Sequence, residues 1–315
     1  MTGATNDAQR ARLLQAMPVV FVLIWSTGFV VARYGMPHSP PMTFLSWRYA
    51  LSIAAFLIWV WLAGAAWPAS RRQWLHLAVT GVCLHAGYLG GVWAAVRGGI
   101  GAGTVALIVG LQPLLTALWI AGVGQAQALG QGQGHHITAR QWGGLLMGLA
   151  GLLLVVWHKL GLGEVTPFNL ALSLLALLSI TAGTLYQKRF VQPCDVRTAN
   201  SVQLLAALAV SLPLALLEPG HMVLHPELLG AMAWSVLVLT LGGSSLLYLL
   251  IQRGAATRVS SLMYLVPPCT AVLAWLLFDE HLSPTVLLGM ALTALGVWWV
   301  VRVPAPSNSA HKAAP

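Results

Sequence analysis

Residues 111–118 read LQPLLTAL and residues 265–272 read LVPPCTAV, an offset of 154. To within a residue or two, the same offset carries SWR at 46–48 onto SVQ at 201–203. It also carries Gly28 and Arg33 onto Gly183 and Lys188, and RGG at 97–99 onto RGA at 253–255. Each half of the chain reads as five apolar stretches. Five is odd, so the second copy of such a unit must enter a bilayer from the opposite side. Inverted repeats are a common build for secondary transporters, with the substrate site near mid-membrane between the halves.

Composition agrees with a bilayer. The chain is 58% hydrophobic and 7% charged, against about 25% charged residues in soluble domains. The acids Asp7, Glu164, Asp195, Glu218, Glu227, Asp279 and Glu280 all fall outside the span centres. The net charge of +9 sits in short loops between apolar spans, which excludes a nucleic-acid surface. Cys83, Cys194 and Cys269 have neither a disulfide framework nor metal-ligand spacing. No cofactor is implied, and the absence of a GxxxxGK[ST] loop argues against ATP drive from this chain.

A helix needs about 20 apolar residues to cross the hydrocarbon core. Ten spans fit, near 17–36, 42–64, 74–96, 99–122, 141–158, 168–188, 198–217, 229–252, 257–278 and 284–302. The expected class is therefore an all-α integral membrane protein of ten transmembrane helices in two inverted five-helix repeats, 17–160 and 161–303. Residues 1–16 are polar and read as a cytoplasmic tail. The apolar stretch after them is too long for a signal-peptide core and reads as a retained first helix. Residues 304–315 read as a disordered cytoplasmic tail.

Orientation follows from Lys and Arg. With the N-terminus inside, twelve of them lie on the cytoplasmic side and Arg33, Arg97 and Lys159 lie outside, so both termini are expected in the cytoplasm. The first repeat carries extra residues that fit AQALGQGQGHH at 126–136, a flexible loop by composition. Its His135 and His136 have no third ligand nearby and read as solvated. Trp67, Trp74, Trp142, Trp157, Trp298 and Trp299 fall near span ends as interface anchors. The pairs Gly87/Gly91, Gly99/Gly103 and Gly144/Gly148 predict close helix contacts, within a monomer or across a homodimer.

IWSTGFVVAR at 24–33, SWRYAL at 46–51, the 111–118 block and VPPCTAVLAWLLFDEHLSPTVLLGMALTALG at 266–296 together resemble the drug/metabolite transporter superfamily, EamA type. The likeness covers about 17–300. One departure is GQA at 124–126 where the second half has DE at 279–280. The resemblance implies a central cavity between the repeats. It also implies a bacterial inner-membrane location, since many members export amino acids or related metabolites there. Other members move nucleotide sugars or drugs.

Within the spans, Arg48 is the sharpest residue. An arginine at mid-membrane costs roughly 2.5–3.5 kcal/mol on insertion scales, and normally faces the bundle interior or water. It can hold a substrate carboxylate, snorkel to headgroups, or bond helix-end carbonyls. Tyr49 stands beside it, and its repeat mate is Gln203. Trp25, Ser26 and Thr27 form a polar and aromatic cluster in span 1, matched in span 6 by Thr181 and Thr184. Such hydroxyls either back-bond to their own helix or line a site. Span 3 supplies His85, Tyr88 and Trp93; His85 titrates near neutrality and can relay a proton. Tyr248 holds a related position in span 8, and Gln112 and Tyr264 precede the span prolines Pro113 and Pro267.

These residues are the candidate substrate contacts, with a small molecule and the lipid bilayer as the partners. The leading function is export of small polar metabolites, amino acids or their relatives, by alternating access. A broad exporter of drugs or amphipathic cations would need a buried acid that is not there. A membrane enzyme would need a nucleophile and base, or metal ligands; Glu218/His221 and Glu280/His281 are loop pairs without a third partner.

Overall fold

A computed structural model describes residues 2–119, 139–243, 246 and 265–301. Every regular element among them is helical. In chain order these are α1 (Thr2–Gly35), α2 (Pro41–Ala63), α3 (Arg71–Arg97), α4 (Ala102–Val109), α5 (Gln112–Trp119), α6 (Ala139–Gly161) and α7 (Pro167–Phe190). There follow α8 (Val196–Leu217), α9 (Pro226–Gly243), α10 (Val266–Phe278) and α11 (Pro284–Val301). Among the described residues six helical segments are long and apolar enough to cross a membrane, and four shorter apolar stretches accompany them, at Val19–Gly35, Ala102–Thr116, Val266–Phe278 and Pro284–Trp299. The 126–136 loop with His135 and His136, the GQA stretch and the C-terminal tail lie outside the described residues.

The first departure from the sequence reading is at the N-terminus. The polar residues from Thr2 onward are helical and continuous with the first span. The second is the stretch read as one span over 99–122, which is broken at Gly110–Leu111 into α4 and α5. Pro113 stands in the first turn of α5, where its missing N–H has no intrahelical partner to lose. A Cβ on Gly110 would come within 2.6 Å of Pro267 Cγ, so only glycine lets α4 cross α10 this closely.

Two helices change winding midway. α3 runs as a π-helix over Val82–Gly87, and α9 does so over Trp234–Gly243. The i→i+5 turn leaves backbone carbonyls available and is frequent at functional sites.

α2 packs along α8, and α6 along α11; α3 lies against α7 and α8, and α9 against α1 and α2. The tightest seam is α6–α11. A Cβ on Gly296 would meet the Gly144 carbonyl and the Gly148 nitrogen, each at 2.4 Å, and one on Gly151 would meet the Gly289 carbonyl at 2.4 Å. Gly87 and Gly91 do the same for α3 on α7, meeting Ser179 Oγ at 2.1 Å and the Leu172 carbonyl at 2.8 Å. The Gly99/Gly103 expectation is corrected: Gly99 is a turn residue at φ +93° with open space beside it, and only Gly103 touches a neighbour, Ala271. All six expected anchor tryptophans are exposed on the outside of the bundle, with Trp67 stacked on Trp74.

Side chains and caps lace both ends of the bundle. At one end Glu218 accepts from the Met42 and Thr43 backbone N–H groups that open α2, at 2.8 and 2.9 Å. Glu280 accepts from the Ala102 N–H that opens α4, at 3.0 Å. Each carboxylate thus sits at the positive end of a helix dipole. Arg97 donates to the Met36 carbonyl and Asn169 to the Gly98 carbonyl. At the opposite end Gln73 bonds Gln192 in both directions, and Thr198 bonds Ala66. Asp195 caps α8 there, and the Arg197 guanidinium bound to it holds its carboxyl below the usual carboxylate range.

Two measurements check these packing and capping arguments. Gly296→Ala must push two backbones apart and lowers stability in detergent by about 1–3 kcal/mol, whereas Gly230→Ala, which meets nothing within 4 Å, is neutral or slightly stabilising in a thermal melt. Because the folded Asp195 carboxyl titrates below its unfolded value near 3.9, its stabilisation is present above that pH and fades as pH falls through the folded value. Asp195→Asn therefore melts lower than the parent at neutral pH, and the two converge in acid.

Candidate functional site

Arg48 enters the bundle on α2, seven residues after Pro41, and is 7% exposed. Its Nε and Nη2 both donate to Thr240 Oγ1, at 3.3 and 3.1 Å. Thr240 lies in the π-helical part of α9, and its own proton goes to the Ser235 carbonyl five residues back, at 2.8 Å. The hydroxyl is thereby fixed as an acceptor toward the guanidinium. Among the described residues Arg48 forms no ion pair. A guanidinium has five N–H donors, so Thr240 occupies only part of its capacity.

The other π-helix brings up the second polar group. Tyr49 is fully buried and donates its hydroxyl to the His85 carbonyl at 2.9 Å, with the two rings edge to face at 6.0 Å. The Gln203 side chain on α8 is a polar neighbour of the His85 imidazole. Gly81 permits this, since a Cβ there would fall 2.2 Å from the Gln203 carbonyl. Tyr88, 6% exposed, joins Tyr49 within electrostatic reach of Arg48. Arg48, Tyr49, Tyr88, Gln203 and Thr240, all buried, and the half-buried His85 therefore form one polar and aromatic group where α2, α3, α8 and α9 meet.

The remaining candidates occupy other places. Gln112 Nε2 donates to Thr184 Oγ1 at 3.0 Å, tying α5 to α7. Thr184 and Thr181 back-bond to the Ile180 and Leu177 carbonyls, each at 2.7 Å. Ser26 back-bonds to Val22 at 2.8 Å, and its carbonyl accepts from Thr270 of α10 at 3.2 Å. Thr27 back-bonds to Ile24 and accepts from the Trp234 indole at 2.8 Å. Trp25 is half-buried and packs on Phe21. Trp93 stands apart from the Arg48 group: it is 1% exposed, stacked on Phe44 at 4.4 Å and pressed against Gly35. Tyr248 and Tyr264 lie outside the described residues.

The sequence reading passed over Thr240 and gave Gln203 no part in the site. The signal was present. Arg48 and Gln203 are 155 residues apart, and so are His85 and Thr240. The two polar pairs are related by 155 residues, the offset that carries SWR at 46–48 onto SVQ at 201–203.

A bundle of apolar helices that buries a guanidinium and phenols, with a half-buried imidazole beside them, is that of a multi-pass membrane protein with a polar core. The comparisons with known proteins give the class. The EamA-like transporter family matches residues 15–157 and 168–302, and the chain belongs to that family. It is a transporter rather than an enzyme. An Escherichia coli K12 protein named as a probable amino-acid metabolite efflux pump is 22% identical, over 90% of this chain and 92% of its own length. The uncharacterised inner membrane transporter YedA of the same organism is 26% identical, over 83% of this chain and 82% of its own. An uncharacterised transporter from Archaeoglobus fulgidus is 24% identical, over 88% and 93%. One crystal structure has the same fold, with a TM-score of 0.59 and 19% identity over 91% of this chain and 96% of its own.

The geometry sets an order of effects. Tyr49→Phe removes one buried hydrogen bond and costs about 1 kcal/mol in a detergent melt. Thr240→Val strips the guanidinium of its acceptor and costs more, about 1.5–3 kcal/mol. A double substitution of Arg48→Met with Thr240→Val recovers part of that loss, because both partners become apolar together.

Proposed function

We propose that the chain is a secondary transporter that exports small polar metabolites, amino acids or their relatives, across the bacterial inner membrane by alternating access. The observation that carries the reading is the paired contact at the centre of the bundle. Arg48 on Thr240 and Gln203 beside His85 are equivalents under the repeat offset, and each joins a helix of residues 17–160 to one of 161–303. A site between inverted repeats near mid-membrane is where such transporters hold their substrate.

Further packing supports the two-repeat, ten-span arrangement. Counting α4 with α5 as one span, α1 corresponds to α7, α2 to α8 and α3 to α9. Helices α4 and α5 then correspond to α10, and α6 to α11. The contact of α3 with α7 has its counterpart in α9 with α1, and α3 with α8 in α9 with α2. The π-helical stretches fall in corresponding helices. The bonds of Glu218 to α2 at one end and of Thr198 to Ala66 at the other support connecting loops on alternate sides. With the positive-inside count, both termini then face the cytoplasm.

In this reading the unused guanidinium donors of Arg48 bind the anionic group of the substrate. Tyr49 and Tyr88 pack its organic part, and Thr240 and Gln203 complete the polar wall. His85 is the imidazole of the group and the residue through which a proton gradient would act. Trp93 takes no part, since it is filled in among Phe44 and Gly35. The relatives' names carry the direction of transport, at 22% identity.

Proteoliposomes preloaded with labelled amino acids test the proposal, with and without a proton gradient. The expected result is release of one or a few amino acids. Arg48→Ala slows it at least tenfold at normal insertion, and Arg48→Lys is intermediate. Retention of every amino acid rules out the amino-acid class.

A further inference from the structure

We infer that His38, His225 and Glu227 form a zinc-type divalent metal site on the loop face of the bundle. His38 lies in the α1–α2 connection; His225 and Glu227 stand at the start of α9, nearly 190 residues away. Their ligand atoms lie within 4.8 Å of one another. Glu227 Oε2 is 2.9 Å from His38 Nε2 and 3.8 Å from His225 Nδ1. Two imidazoles and a carboxylate are a donor set that zinc takes with an open fourth position for water. At zinc bond lengths of about 2.0–2.1 Å, tetrahedral ligands sit roughly 3.4 Å apart, so both separations are within about half an ångström of a closed site.

The surroundings hold the frame and leave the ligands room to adjust. The Val223 N–H donates to the His38 carbonyl at 2.8 Å, fixing one connection on the other. Pro226 sets the first turn of α9 between the two ligands that helix supplies. One rearrangement is required. The His38 and His225 rings are stacked at 4.2 Å and 12°, and a metal must lie in the plane of each ring. His225 is 46% exposed and free to turn. Its Nδ1 gives up only a long 3.4 Å bond from the Glu227 N–H, while His38 stays in place at 19% exposed. Glu218, whose oxygens are engaged at the start of α2, is not a ligand.

The site rests on this geometry and not on the transport reading, so binding is the test. Zinc chloride is titrated calorimetrically into the chelator-stripped full-length protein in detergent. The parent is expected to bind one zinc per chain and to melt at a higher temperature with it. His38→Ala and Glu227→Gln each weaken binding at least tenfold and abolish the shift, with unchanged melting in the absence of metal. His135→Ala with His136→Ala leaves both intact. No zinc binding by the parent, or binding that survives His38→Ala and Glu227→Gln, overturns the assignment.

Discussion

A buried arginine answered by a hydroxyl is the constraint from which the centre of this protein follows. A guanidinium in an apolar bundle normally finds a carboxylate, and Arg48 finds Thr240. That acceptor is available because α9 is π-wound there. The wider turn lets Thr240 give its proton to Ser235 and turn both lone pairs toward α2. The corresponding π turn in α3 lets the His85 carbonyl take the Tyr49 hydroxyl. Helix winding supplies the acceptor, and among the described residues no ion pair cancels the charge.

The close packing around this centre comes from residues with little or no side chain. Gly81 brings α3 onto the backbone of α8 beside Gln203. In a bilayer, where lipid tails are as apolar as leucine, helices gain by backbone approach and dispersion more than by burial of hydrophobic surface. The large exposed leucines and tryptophans on the outer surfaces fit this division: bulk faces lipid and smallness faces protein.

Much of the architecture was legible in the sequence, because apolar length and charge placement are strong signals. The spans near 42–64, 168–188 and 198–217 agree with α2, α7 and α8 to within two residues. Arg48, Tyr49, His85 and Tyr88 were legible as polar or aromatic groups in apolar surroundings. What escaped was whatever depends on winding. A period of 3.6 does not represent the π turn at Val82–Gly87 that brings the His85 carbonyl to Tyr49, and the reading of Trp93 as a site residue had no sign of the Phe44 and Gly35 surfaces that bury it. Thr240 escaped because a single threonine in an apolar run reads as a helix-bonding hydroxyl. Glu218 and Glu280 read as idle loop acids, since nothing local shows that the helix starts they cap lie more than 170 residues away.

The α6–α11 seam has a mechanical meaning. Backbone closely approaches backbone along it at Gly144, Gly151, Gly289 and Gly296, with only the short side chains of Val155 and Thr293 set between. Two rods fused in this way behave as a single beam. Any flexing of the bundle is taken up more readily where side chains and hydrogen bonds form the contact, as around Arg48 and Thr240. α6 and α11 then act as a stiff axle, and the Arg48 group as the compliant part of the bundle.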